Sequence, residues 1–468
     1  MILNASISLL ICILHPIIDI SNIVLTLKPY GNLISGKVPL AEGATIIKRP
    51  NKEFLISDTN HNWTKPMEQG PWEIGFDTSY VSIAGIQNPP YVFLRNNTVD
   101  MNLNRVKYWP SGNFTMPQGL SKINSPGEGQ EEWDSSAYNM IVVNETEKFI
   151  DDHLRTNPSQ SFFTYVALGA VHIPHSPPDR YLDGTPIAGQ HETPHMDVLF
   201  ELDMVVGSLI EKLEEKKILE DTIVIFTSDN GGLGILTGSE SIKAGHYSSG
   251  PLRAEKSSIY EGGHRIPMTI RWDNGRIPRG EKRSHFVSLS DIFATLCDLI
   301  GIKVPKHQAV DSISFSDYLY KKTATKGLRK SLGMWSFVKH GKGNRLGQEA
   351  VRIGNMKLIH NYQNNTFELY DLENDVSESK NLVSNATRTK EMIQDMYSEL
   401  KRFGPCHDTP GKFYVQKKKK KSSCAWFGRK NTSKRCGKFD EGWMHCRLTC
   451  ALTSSKQCTK IVDLPGNQ

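Results

Sequence analysis

The chain has 468 residues, 38% of them hydrophobic and 23% charged, with a formal net charge of +6. That length holds one large domain and one or two smaller ones, and the balance is that of a globular protein rather than a fibrous or disordered one. The charge is unevenly placed: residues 406 to 468 hold 14 Lys and Arg against 4 Asp and Glu, a surplus of 10, which leaves −4 for everything before them.

The N-terminus is apolar from Ile7 to Val24 but broken by His15, Pro16, Asp19 and Asn22. It has no basic flank and no small-residue cleavage site, so it makes a poor signal peptide and gives no confident membrane span. A misplaced start codon accounts for this end equally well. Asn22 to Leu27 is a candidate buried strand. From Asn62 to Val99 the chain is turn-rich and aromatic, as in segments that wrap a core, and residues 100 to 134 predict a long polar loop.

Regular alternation of helix and strand begins near residue 136. Ala137 to Arg155 places Met140, Val143 and Phe149 at helical spacing, and Ser161 to Ala170 predicts a buried strand. Leu199 to Lys217 is an amphipathic helix leading into the apolar run Thr222 to Ser228. A helix feeding a strand in this way is half of a βαβ unit and predicts a mostly parallel sheet with helices on both faces. Pro267 to Trp272 predicts a further strand, and Leu289 to Ile300 a helix stopped by Gly301. Residues 335 to 372 predict short antiparallel strands, followed by a helix from about 387 to 402.

Six of the eight cysteines, Cys406, Cys424, Cys436, Cys446, Cys450 and Cys458, fall in the basic tail and predict a module of three disulfides. Zinc is the competing reading, without paired knuckles or histidine pairs to favour it. Disulfides imply an oxidising compartment, and eight sequons (Asn4, Asn62, Asn96, Asn113, Asn144, Asn364, Asn385, Asn431) point the same way. A secreted, extracellular or lysosome-like location is therefore expected. The lysine run Lys417 to Lys421 suits contact with an acidic polysaccharide, and a solvated disulfide knot without a partner is the equal alternative. Nothing in the chain suggests a nucleic-acid partner.

The strand Thr222 to Ser228 ends in Asp229, Asn230, Gly231 and Gly232, a charged and a neutral oxygen side by side at a sheet edge. Such a pair is a hard-ligand set for Ca²⁺ or Mg²⁺, while the tetrapeptide alone reads more simply as a turn. His172 and His175 follow the strand at Ser161 to Ala170 and reach the same edge. An imidazole there can bind an anion and move a proton near neutral pH, or can be structural. Lys256 could neutralise an anionic substrate or be an ordinary surface lysine. Gly262 and Gly263 permit close backbone approach, and Arg265 suits either an oxyanion or an ion pair.

At these residues the chain resembles the sulfatases of the arylsulfatase kind, within the alkaline-phosphatase-like superfamily. The resemblance is carried by GPWEIGFD (70 to 77), SFFTYVALGAVHIPH (161 to 175), ELDMVVG (201 to 207), TIVIFTSDNGG (222 to 232), PLRAEKSSIYEGGHRIP (251 to 267), DIFATLCDLIG (291 to 301), and KLIHN with ELYDLEND (357 to 375). It spans about residues 63 to 404. It implies that Asp229 and Asn230 ligate a Ca²⁺ that also grips a sulfate oxygen, that His172 contacts the sulfate or assists the leaving alcohol, and that Lys256 holds a sulfate oxygen. A cation and fixed positive charges aimed at the non-bridging oxygens would lower the barrier to sulfuryl transfer.

The resemblance also implies a tandem aspartate and a C-x-P-S-R or C-x-A-x-R element near the N-terminus, whose cysteine becomes the formylglycine nucleophile. None of the eight cysteines has that context, and Lys28-Pro29 stands where the aspartates are expected. Three readings follow: an incomplete coding sequence, a non-catalytic relative that binds sulfated glycans, or an enzyme with another nucleophile. A metal-dependent phosphodiesterase or phosphatase of the same superfamily is the alternative chemistry. The expected architecture is α/β, a mostly parallel sheet sandwiched by helices. Its parts are an atypical remnant at 1 to 62, an incomplete sulfatase domain at 63 to 330, a small-sheet α+β subdomain at 331 to 405 and the basic Cys-rich module at 406 to 468. The expected substrate is a sulfated polysaccharide or an aryl sulfate.

Overall fold

The computed structural model describes residues 63 to 403, apart from 68–69, 101, 110–124, 234–239, 306–308, 325–327, 341–342, 362–363 and 385. It also describes strands at 7–13, 46–48, 54–56, 412–415 and 420–423. Two compact units are present. The first takes in residues up to 250, then 254–256 and 262–328; the second comprises 251–253, 257–261 and the chain from 329 onward.

The first unit is built on a four-stranded sheet of β1 (Ile7–Ile13), β2 (Phe162–Ala167), β3 (Thr222–Ser228) and β4 (Met268–Arg271), in the order β4-β3-β1-β2. Its helices are α1 (Tyr138–Thr156), α2 (Pro194–Glu215) and α3 (Asp291–Leu299). Helix α2 starts where the sequence can cap it: Thr193 is extended and its side chain accepts the Met196 N–H, with Pro194 in the first turn.

Strand β3 is apolar on both faces, and the period of two divides its residues between two cores. Val224 packs with Val143 and Ile150 of α1 and Val198, Leu202, Leu209 and Leu213 of α2. Ile223 and Ile225 pack with Leu296 of α3. Helices thus cover both faces, as the sequence predicts. Leu209 and Leu213 are 0% exposed, and burial of each contributes roughly 2 kcal/mol.

The sheet is not mostly parallel. β2 and β3 run in the same direction, as a helical crossover requires, but β1 lies between them and pairs antiparallel with both, Leu10 facing Ile225 on one side and Tyr165 on the other. β4 is also antiparallel to β3. The gap between two crossover-linked strands is filled by a strand entering from the opposite end. The candidate strand Asn22 to Leu27 lies outside the described residues.

The segment expected as a loop at 100 to 134 contains a hairpin, Val106–Trp109 against Gly127–Gln130. Its period of two is hidden because only Trp109 of the first strand is buried. Tyr91, Phe93, Trp109, Trp133 and Tyr138 form an aromatic core beneath it.

The second unit is a meander of β5 (Ser331–His340), β6 (Gly343–Ile353), β7 (Met356–Asn361) and β8 (Thr366–Asp371), with α4 (Thr387–Phe403) against one face. Val351, Leu358, Phe367 and Leu369 meet Ile393, Met396, Tyr397 and Leu400 of α4. Ile259 meets Ala350, Ile359, Tyr370 and Leu372 in a separate core. The expected antiparallel strands and terminal helix are both present. Cys297 is a buried free thiol, and the six tail cysteines lie outside the described residues. Among those residues no helix is long and apolar enough to cross a membrane.

Candidate functional site

Strand β3 delivers Asp229 and Asn230 to its C-terminal end, where the ladder stops and the chain turns. The Ser228 hydroxyl donates to the Asn230 carbonyl at 2.9 Å and closes that turn. The Asn230 amide nitrogen donates to the Gly231 carbonyl at 3.1 Å, so the side-chain oxygen is the end left to serve as a ligand.

Gly231 is required by contact rather than by dihedral angle. A Cβ there would stand 1.9 Å from the Gly262 carbonyl oxygen, and the Gly231 N–H donates to the Gly263 carbonyl at 2.9 Å. One residue on, the Gly232 carbonyl accepts the Lys256 backbone N–H at 2.8 Å. Lys256 is therefore stitched to the strand end through main chain. Ala254 and Ser257 on either side of it have φ of 59° and 75°, a left-handed conformation uncommon for residues with a Cβ.

His172 lies in the loop after β2. Its N–H donates to the Gly169 carbonyl at 2.8 Å, while Gly169 and Ala170 donate their N–H groups to the Asn139 side-chain oxygen at 3.0 and 3.1 Å. Helix α1 thus holds the loop through Asn139. The Nδ1 of His172 lies 2.7 Å from the Ile173 carbonyl. A carbonyl only accepts, so Nδ1 carries the proton and Nε2 is the nitrogen left for a ligand.

Asp229, His172 and Lys256 lie within electrostatic reach of one another. Burial pushes the His172 imidazole below its ordinary range, and the Lys256 charge pushes the same way against the pull of Asp229. Partial desolvation raises the Asp229 carboxyl, opposed chiefly by Lys256. Asp229 is exposed in part, so water screens this shift. The result is a group of one lysine, one carboxylate, an amide oxygen and an imidazole with Nε2 left for a ligand.

Beside it lies a row of histidines that the sequence does not announce. The rings of His175 and His195 are 4.7 Å apart and those of His195 and His246 5.6 Å. The Nδ1 of His195 is 2.9 Å from the Ser241 hydroxyl. All three Nε2 atoms are buried without a hydrogen-bond partner. Burial holds His175 down at about 4 and His195 at about 3. The spacing along the chain, 20 and 51 residues, gives no local signal; only His175 stood out, for its place beside His172.

The oxygens of Asp229 and Asn230 suit a hard cation such as Ca²⁺. Among the described residues no group of three His, Cys, Asp or Glu side chains is drawn together to hold a metal. The fit is thus half a site, and the chemistry argued below is that of the chain's own side chains.

A carboxylate, an amide, an imidazole and a lysine are thus gathered near the C-terminal end of a sheet strand, held in part by glycine contacts. The Sulfatase family model matches residues 59–302, and the N-sulphoglucosamine sulphohydrolase C-terminal model matches 254–404. The chain belongs to the sulfatase family. It is 26% identical over 368 residues to an N-acetylgalactosamine-6-O-sulfatase of Bacteroides thetaiotaomicron, covering 70% of this chain and 68% of that one. It is 30% identical over 239 residues to the mouse N-acetylgalactosamine-6-sulfatase, covering 51% of this chain and 41% of the relative. Most of the curated relatives it matches are spanned over less than half their length. A solved structure from work on glycosaminoglycan metabolism by Bacteroides thetaiotaomicron shares the fold with a TM-score of 0.58 at 24% identity, over 74% of this chain and 75% of that one. A second, Ps i-CgsB in complex with a neocarrahexaose, gives 0.51 at 24% identity, over 71% and 67%.

Proposed function

We propose that the chain is a sulfuric ester hydrolase acting on sulfated glycans, with the sulfate seated between His172, Lys256, Asp229 and Asn230. The observation that carries this reading is the mutual approach of Asp229, His172 and Lys256, inside the two stretches matched by sulfatase family models. The names of the relatives, which act on N-acetylgalactosamine 6-sulfate, support a glycan as the ester.

In this arrangement Lys256 offsets charge on a non-bridging sulfate oxygen, and its main-chain bond to Gly232 fixes its position relative to the strand end. His172 presents Nε2 to the ester oxygen; once protonated it can donate that proton to the departing alcohol. Asp229 and Asn230 would hold Ca²⁺, which when bound draws charge from the sulfate. The attacking nucleophile lies outside these four residues, and a formylglycine would have to come from a segment that carries its motif. A secretory or lysosome-like location remains part of this reading.

Sulfate release is the test. The purified chain is given 6-O-sulfated N-acetylgalactosamine or an aryl sulfate with Ca²⁺, and free sulfate and ligand affinity are both measured. Release supports the hydrolase. Binding without release supports the second reading, a sulfated-glycan-binding relative. Equal affinity for the sulfated and desulfated sugars overturns both, and turnover of a phosphate ester instead would favour the phosphodiesterase alternative.

A further inference from the structure

We propose that Tyr247 is the sugar-stacking residue of a glycan subsite beside the crevice, an inference that rests on the sulfated-glycan reading. The residue is 63% exposed, the highest of the exposed aromatic residues among the described ones. Exposure of one aromatic residue is ordinary in itself; its position is not.

Tyr247 sits on a loop locked at both ends. On one side the His246 N–H donates to the Ser241 carbonyl at 2.8 Å, and Ser241 is 1% exposed with its hydroxyl against His195. On the other, the Gly250 N–H donates to the Tyr247 carbonyl at 2.8 Å, with Gly250 at φ 56° closing the turn. The next two residues reach the catalytic strand end. A Cβ built on Gly232 would meet Ser249 Oγ at 2.7 Å and Ser248 Cβ at 2.8 Å, and Ser249 donates to the Gly262 carbonyl at 3.4 Å. Gly232 is two residues from Asn230 and accepts the Lys256 N–H.

A rigid loop therefore holds a large amphipathic ring one residue from a contact with the sulfate-directed strand end. A pyranose has a face of C–H groups with its hydroxyls and sulfates around the edge. Such a face matches the apolar body of a tyrosine, while the phenol stays in water. Because the backbone carrying the ring is already held by hydrogen bonds, stacking a sugar costs only the ordering of one side chain with few rotatable bonds. A single sulfate ion would not use the ring; a sugar bearing that sulfate would.

The experiment is calorimetric binding of inorganic sulfate and of a 6-O-sulfated N-acetylgalactosamine-containing tetrasaccharide to the parent chain, Tyr247→Ala and Tyr247→Trp. Melting temperatures serve as the folding control. The proposal expects Tyr247→Ala to weaken the tetrasaccharide about ten-fold, a difference of ~1.4 kcal/mol, and to leave inorganic sulfate unchanged. Tyr247→Trp should retain the tetrasaccharide. Undiminished tetrasaccharide affinity in Tyr247→Ala overturns the stacking role while leaving the crevice reading intact. A parent chain that binds neither ligand overturns the crevice reading and the subsite with it.

Discussion

The ammonium of Lys357 lies 3.0 Å from Oε1 of Glu261 and 2.9 Å from Oε1 of Glu378, and all three side chains are cut off from solvent. The Glu261 contact is a hydrogen bond. The Glu378 contact is a buried ion pair. The other Glu378 oxygen accepts the Glu261 backbone N–H at 2.6 Å. One lysine on β7 thereby fixes the glutamate of the Tyr260-Glu261-Gly262-Gly263 motif and offsets two buried carboxylates. Lys357→Ala leaves those carboxylates without their shared cation and should cost about 3–5 kcal/mol in urea unfolding. An unchanged midpoint would show that the pair contributes no net stability.

Gly231→Ala forces the strand end away from Gly262, because a Cβ 1.9 Å from a carbonyl oxygen cannot be absorbed by side-chain rotation. The melting temperature should fall, and sulfate affinity should fall with it as Asp229 and Asn230 shift. Gly207→Ala is the control, since a Cβ at Gly207 meets nothing within 4 Å and alanine favours the helix.

His175 and His195 set an acid limit on stability. Burial lowers both below 6.5, to about 4 and about 3, so the unfolded chain takes up protons that the folded chain refuses. Their contribution is complete above pH 6.5 and is lost as pH falls from there toward the folded values. Thermal melts between pH 7 and pH 4 should show this slope. His195→Gln, which does not titrate, should flatten it; an identical slope in the variant would assign acid lability elsewhere.

Glu201 on α2 acts in the opposite sense. It is 0% exposed and both its oxygens lack a hydrogen bond, although Asn139 is adjacent. Burial pushes its carboxyl from 4.5 up to about 8, so the folded chain keeps a proton that the unfolded chain releases. Stability is therefore lost as pH rises from 4.5 to about 8. Glu201→Gln keeps the shape without the charge and should stabilise on the order of 3 kcal/mol at pH 7, with little effect at pH 4.5. Equal gains at both values would point to packing instead of ionisation.

Much of the fold was legible because its signals are local. Thr222 to Ser228 is an apolar run of strand length, Leu199 to Lys217 has helical periodicity, and Gly301 closes a helix, each within a few residues; the start of that first helix at Pro194 was not read. The hairpin at Val106–Trp109 was missed because its exposed residues carry no alternation. The strand Ile7–Ile13 was missed because its apolar run is read equally well as a broken leader-like segment, and no local signal states its antiparallel course. At the candidate site, Asp229, Asn230, His172 and Lys256 were singled out by residue type, position after a strand, and family resemblance. His195, His246 and Tyr247 were not, since their surroundings depend on neighbours far away along the chain.

The sequence by itself determined the strand that presents Asp229 and Asn230, the helices that cover it, and membership of a family that handles sulfate esters. The strand and helices follow from periodicity and from residues adjacent in the chain, and the family from the resemblance its motifs carry. Tertiary structure alone decided that Gly231 abuts Gly262, that Lys256 is bonded to Gly232, that Tyr247 is held beside them and that Lys357 offsets Glu261 and Glu378. Each of those contacts closes a long loop, and its geometry is set by packing of whole elements, which no local pattern of residues encodes.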